Sequence, residues 1–237
     1  MDATKLIDLS HGYGPETLYW PTGKPFEWTK TAWGESEAGY WYTAAEFSTP
    51  EHSGTHLDAP IHFGRGQSAV DQIALQKLVA PAAVVDIADQ CAADPDYRLT
   101  RADLKAWEKQ HGRLDAGVIV VVRTGWHHRW PDRKAYMGSD VPGDTSNLHF
   151  PGLSREAAEF LARERSIHGV GIDTASIDHG PSKDFIVHQV LNGADKFGLE
   201  NLTNLDPLPP TGATLIVAPM KIEGGTGAPA RVYALLP

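Results

Sequence analysis

The chain has 237 residues, 41% hydrophobic and 22% charged, with 30 acidic against 21 basic side chains and a formal charge of −9. That length suits one packed domain over residues 1–237 with a core that needs no staples, and without a long Lys/Arg run nucleic acid is set aside as a partner. The single cysteine, Cys91, excludes an internal disulfide and a thiolate zinc finger.

The start, "MDATKLIDLSHGYG", lacks the basic lead and apolar stretch of a signal peptide, and no run approaches a membrane span, so the cytoplasm is the expected compartment with no membrane partner. Up to about residue 65, Pro, Gly and aromatics alternate ("TLYWPTGKPFEWTKTAWGESEAGYWYTAAEF"), which predicts hairpins and long loops. Trp20, Trp28, Trp33 and Trp41, four of the seven tryptophans, fall here. Packing of core and edge explains them; a wall for a flat aromatic ligand, with Trp20 and Trp41 as candidates, is the functional reading.

The runs "AAVVDIA" (82–88), "GVIVVVRTG" (117–125), "GVGID" (169–173) and "ATLIVAPM" (213–220) read as buried strands. Between them, "LTRADLKAWEKQHG" predicts a helix opened by Thr100 with Asp103 three residues on and closed at Gly112. A second helix follows from "LSREAAEFLARERS", with Ser154 as its cap. "DFIVHQVLNG" predicts a third, entered at Asp184, stopped by a left-handed Asn192-Gly193, and carrying His188. "EGGTGAP" (223–229) lacks the spacing and the Lys-Ser/Thr ending of a phosphate loop and reads as a turn. No G-x-S-x-G elbow occurs, which disfavours serine-hydrolase chemistry.

The densest chemistry lies in "HSGTHLDAPIHF", residues 52–63. The chain has 11 histidines, so an eleven-residue window should hold about half of one; this window holds three. His52, His56, Asp58 and His62 share one face of an extended segment, yet a straight strand would spread the outer pair by about 30 Å at 3.3 Å per residue. The chain must therefore bend, at Gly54 and around Pro60. A bent arc can offer two imidazoles and a carboxylate to a Zn²⁺-like ion and leave a position open for water, the pattern of a catalytic site. Solvated loop histidines are the plainer alternative.

The same stretch resembles the H-x-G-T-H-x-D-x-P-x-H signature of the cyclase-like metal-dependent hydrolases. "IDLSHGYGPETLYWPTG", "GIDTASID" and "VHQVLNGADKFGLENLTNLD" resemble further segments of that family, so the likeness runs from about residue 6 to 235. It implies an α/β chain with the swivelling β/β/α fold, a mixed sheet with a few flanking helices, and a homo-oligomer, commonly a homodimer or homotetramer. Carried over, it makes His52, His56 and Asp58 metal ligands and His62 the general acid/base. His188 and Glu200, twelve residues apart, correspond to the second ligand segment. The cofactor implied is a divalent metal, Mn²⁺ or Zn²⁺, as one ion or as two bridged by Asp58.

The resemblance implies hydrolysis of a small aromatic amide. The aromatic stretch from Phe26 to Tyr42 favours a flat cyclic amide, isatin, opened to isatinate. N-formylkynurenine, whose formamide would be cleaved, and another small lactam or lactone are the alternatives. Arg123, Arg129 and Lys221 are the candidate partners for an amino-acid carboxylate, or are structural charges. A module that binds divalent metal or small aromatics without turnover is the non-enzyme reading.

Overall fold

A computed structural model describes residues 5–237; the first four, part of the start read as lacking a signal peptide, lie outside the described residues. The strands are β1 (Leu6–Asp8), β2 (Glu27–Glu35), β3 (Trp41–Ser48), β4 (His56–Asp58), β5 (Val79–Asp86), β6 (Arg98–Leu99), β7 (Ile119–Arg123), β8 (Gly152–Leu153), β9 (Gly169–Ile172), β10 (Phe197–Glu200), β11 (Thr214–Pro219) and β12 (Gly227–Leu235). The four runs expected as buried strands are β5, β7, β9 and β11, of which β11 is buried on one face only.

β5, β7, β9 and β10 lie parallel in that order. β11 joins antiparallel to β5, and β12 to β11. The three-residue strand β4 then pairs antiparallel with both β10 and β12, which closes the mixed sheet on itself. β1 lies along the far end of β12.

Side chains alternate across this sheet, as the pleat requires. Ala82, Val84, Ile119, Val121, Leu57, Leu199, Leu215 and Val232 pack in one core, inside the closed sheet. Ala83, Val85, Val120, Val122, Val170 and Ile172 pack outside, against Leu104 and Trp107, Phe160 and Leu161, and Val187 and Leu191 of the helices. Strands buried on both faces read as continuous apolar runs. That is why their positions are visible in the sequence.

The helix Arg101–His111 starts as expected: Thr100 accepts from the Asp103 amide, and the Asp103 carboxylate accepts from the Thr100 amide at 2.8 Å. Ser154 caps Arg155–Glu159, but the chain then widens into a π-helix over Phe160–Arg165 instead of continuing as α. The widened turn accompanies a buried Arg165, whose guanidinium lies 4.1 Å from the Phe160 ring and holds Glu108 with two hydrogen bonds. The third helix, Ile186–Gly193, starts after a left-handed Phe185. Its left-handed stop is Asp195 (φ 57°), two residues beyond the expected Asn192-Gly193. There the Asp195 carboxylate is held by Lys77 at 2.5 Å and Ser68 at 2.9 Å.

β2 and β3 form a hairpin paired only with each other. Trp28, Trp33 and Trp41 stand on it, each more than half exposed. These three tryptophans therefore serve neither the core nor its edge. Among the described residues, no helix is long and apolar enough to cross a membrane.

Candidate metal centre

The bends expected around the histidine cluster are present. Gly54 takes a left-handed conformation (φ 54°), and a Cβ there would lie 2.8 Å from the Tyr13 ring. The Tyr13 hydroxyl sits between the carbonyl oxygens of Ser53 (2.5 Å) and Thr55 (2.9 Å). Asn201, just past β10, donates to the Gly54 carbonyl at 2.8 Å and accepts the Thr55 hydroxyl on its own carbonyl at 2.6 Å. A short 3₁₀ turn, Pro60–His62, makes the second bend.

Between the bends, β4 points Leu57 into the closed sheet and His56 and Asp58 to its other face. Glu200 stands opposite His56 on β10. Gly198 and Gly227 flank Asp58 on the two neighbouring strands. A Cβ on Gly198 would come within 2.9 Å of Asp58 Oδ2, and one on Gly227 within 2.5 Å of the His52 ring. Two glycines thus make the space in which the carboxylate and His52 meet.

Hydrogen bonds fix how each imidazole faces this space. His56 Nδ1 donates to the Gly54 carbonyl at 3.0 Å, so a neutral His56 turns the lone pair of Nε2 towards Asp58 Oδ1 (3.2 Å) and Glu200 Oε2 (3.4 Å). His188 Nδ1 donates to Asp178 Oδ2 at 2.7 Å, so its Nε2 faces Glu200 Oε1 (3.2 Å) and Asp58 Oδ2 (3.4 Å). The Thr226 hydroxyl donates to Glu51 and lies 3.0 Å from His52 Nε2, which leaves His52 Nδ1 facing Asp58 Oδ1 at 2.6 Å. Acceptor meets acceptor at every contact unless a positive charge lies between them.

Protons can supply that charge. Burial draws His56 down, but Asp58 and Glu200 outweigh it and push its pKa up to about 10. Burial likewise opposes Asp178, Asp58 and Glu200 at His188, which ends well above its ordinary value. Asp58 is held well below the usual carboxylate range against its burial, by His56, His188 and His52.

A divalent cation fits the same place. His56 Nε2 and Asp58 Oδ2 are buried and make no hydrogen bond, and an orphaned buried polar atom calls for an explanation. His52, His56 and Asp58 form one set of converging ligand atoms, and Asp58, His188 and Glu200 a second, sharing Asp58. Two or three imidazoles with carboxylates suit a transition-type divalent metal. All five residues expected as ligands are therefore brought together.

His62 stacks on His52, ring centroids 3.9 Å apart and planes 22° from parallel. Burial pushes its pKa down to about 4, so it is neutral near pH 7. Both residues line a cavity of about 330 Å³ together with His56, Asp58, His188 and Glu200 and with Leu18, Tyr19, Trp20, Phe63, Met137 and Phe185. Trp20 is thus where the sequence placed it. Trp41 is not: it stands on β3, 69% exposed, outside the cavity of its own chain. Aromatic composition marks a segment without telling which rings turn inward.

Asp178, which fixes His188, was missed, although it lies in the "GIDTASID" run that carries part of the family likeness. Thr226, in the stretch read as a turn, was missed as the partner of His52. Neither has a spacing that marks it in a single sequence.

The closed mixed sheet and this His/Asp/Glu cluster define a metal-dependent hydrolase of the cyclase class. The Cyclase family model matches residues 7–179, and the chain belongs to that family. It is 42% identical to an isatin hydrolase of Roseibium aggregatum over 195 residues, covering 79% of this chain and 72% of that protein. A kynurenine formamidase of Salinibacter ruber is 30% identical over 227 residues, 95% of each chain. A crystal structure of an isatin hydrolase bound to the product analogue thioisatinate superposes with a TM-score of 0.90 at 38% identity, over 98% of this chain and 92% of that one.

Because Asp178 sets the direction of the His188 lone pair, Asp178→Asn is expected to weaken divalent-metal binding about 10- to 100-fold. Titration of metal-depleted protein checks this, and unchanged affinity would remove Asp178 from the site.

Proposed function

We propose that the chain is a metal-dependent amidohydrolase that opens the cyclic amide of isatin to isatinate, with Mn²⁺ or Zn²⁺ as its ion. The observation that carries this reading is a cavity lined by the candidate metal ligands and by apolar and aromatic side chains, with no Lys or Arg among its lining residues. Such a space suits a flat, uncharged ring. The isatin hydrolase relatives support the same substrate class.

His52, His56 and Asp58 would hold the ion, with Asp58, His188 and Glu200 able to hold another. When bound, the ion supplies Lewis acidity, polarising a carbonyl and acidifying water. His62, neutral in the cavity, takes a proton from the attacking water. The water oxygen bonds to the amide carbon, the carbon–nitrogen bond breaks, and the proton passes from His62 to the leaving nitrogen. Trp20 and Phe185, with ring centroids 5.9 Å apart, form an aromatic wall for the substrate.

N-formylkynurenine is the second reading, favoured by the formamidase relatives. Its amino-acid tail would want a cation, and the three candidates lie elsewhere. Arg123 is 3.5 Å from both Asp86 and Asp206, Arg129 lies over the Trp126 ring at 3.5 Å, and Lys221 is exposed beyond β11.

We also propose that the protein acts as a homo-oligomer joined through the β2–β3 hairpin. An isolated two-stranded hairpin is marginal in water, and this one exposes Trp28, Trp33, Trp41 and Phe47 on one face by half or more. Contiguous apolar surface of that kind marks an interface, and a second copy would cover it symmetrically. Light scattering is expected to give a dimer or tetramer, reduced to a smaller species by Trp28→Ser with Trp41→Ser; a wild-type monomer would contradict this.

The activity is tested by ring opening of isatin with Mn²⁺- or Zn²⁺-loaded protein, followed by absorbance. His62→Ala is expected to lose about 10²- to 10⁴-fold in turnover with the metal still bound. Turnover equal to wild type would remove His62 from the chemistry, and no turnover by the wild type would remove isatin.

A further inference from the structure

Away from the cavity, His127, His128 and Asp206 place three further ligand atoms within 4.8 Å of one another, and none of the three lines the catalytic pocket. We propose that they form a second metal site, for a divalent transition ion of the Zn²⁺ kind, separate from the catalytic cluster.

The site is built from the end of β7. Gly125, left-handed at φ 73°, turns the chain into the short 3₁₀ helix Trp126–Arg129, which presents two successive histidines. His127 is buried, and its Nδ1 donates to Asp173 Oδ2 at 2.7 Å. Asp173 is itself fully buried and held through its other oxygen by the Thr124 amide (2.9 Å) and hydroxyl (2.7 Å). A carboxylate behind the far nitrogen of a histidine fixes its tautomer and direction, as behind metal-bound histidines. Here it leaves the Nε2 lone pair facing out, towards Asp206.

The His128 distance alone would suit a simple ion pair, and it is the second imidazole that makes a ligand set. His127 Nε2 is 3.7 Å from Asp206 Oδ2, too far for a hydrogen bond. His128 Nε2 is 3.1 Å from the same oxygen. Two ligands on a tetrahedral ion, each at 2.0–2.1 Å, stand about 3.3 Å apart, and the two separations bracket that value. The second Asp206 oxygen faces Arg123 at 3.5 Å, so Oδ2 is the one left for the imidazoles.

Two imidazoles and one carboxylate select borderline transition ions over Mg²⁺ and Ca²⁺, which prefer oxygen. With His128 64% and Asp206 47% exposed, the remaining coordination position opens to solvent. The assignment does not depend on the proposed substrate, so it stands or falls separately from it.

The test counts zinc in the full chain after metal depletion, reloading and dialysis, for wild type, His128→Ala and Asp206→Asn. Both substituted side chains are at the surface, so neither opens a cavity. Each variant is expected to hold one ion fewer per chain than wild type while keeping the metal of the catalytic cluster and the basal hydrolysis. Equal counts in the three proteins would overturn the proposal, as would a difference abolished by excess Mg²⁺.

Discussion

Three imidazoles aimed at two buried carboxylates need positive charge between them. His56, His188 and His52 each have one nitrogen committed to a neighbour, so the other presents a lone pair to Asp58 or Glu200. Neither set of groups can be buried alone: carboxylates without a cation would be uncompensated charge, and imidazoles without one would face acceptors. A divalent ion resolves both, and its binding must displace the protons that otherwise occupy the site.

The fold places this constraint where it also closes the sheet. β4 is three residues long, yet it joins β10 to β12, and two of its three side chains belong to the converging His/Asp/Glu sets that could hold an ion. Leu57 fills the interior while His56 and Asp58 face the cavity, so one pleat separates core from chemistry. Gly198 and Gly227 complete the arrangement by giving up their side chains on either side of Asp58. The strand that closes the sheet is also the one that carries His56 and Asp58, and the hydrogen bonds of Tyr13 and Asn201 lie around Gly54 just before it.

Much of this was legible because it obeys short-range rules. The central strands are apolar on both faces, the Arg101–His111 helix carries its cap, and the histidine window is dense enough to require bends that Gly54 and Pro60 supply. What was illegible depends on contacts distant in sequence. Trp20 and Trp41 look alike in sequence, but one turns into the cavity and the other stands on an exposed hairpin. Asp178 is recognisable only once His188 lies against it. The π-helix at Phe160–Arg165 accompanies a buried ion pair with Glu108, 57 residues away in the chain, which no helical periodicity reports.

The cavity's lack of cationic lining is what ties the metal cluster to a flat amide rather than to an amino-acid derivative. The most direct measurement is the ratio of kcat/KM for isatin to that for N-formylkynurenine on one metal-loaded preparation. The expected ratio is well above one, with the deficit for N-formylkynurenine arising from its unpaired charges. A ratio below one would contradict it and show that the tail finds a partner beyond these walls.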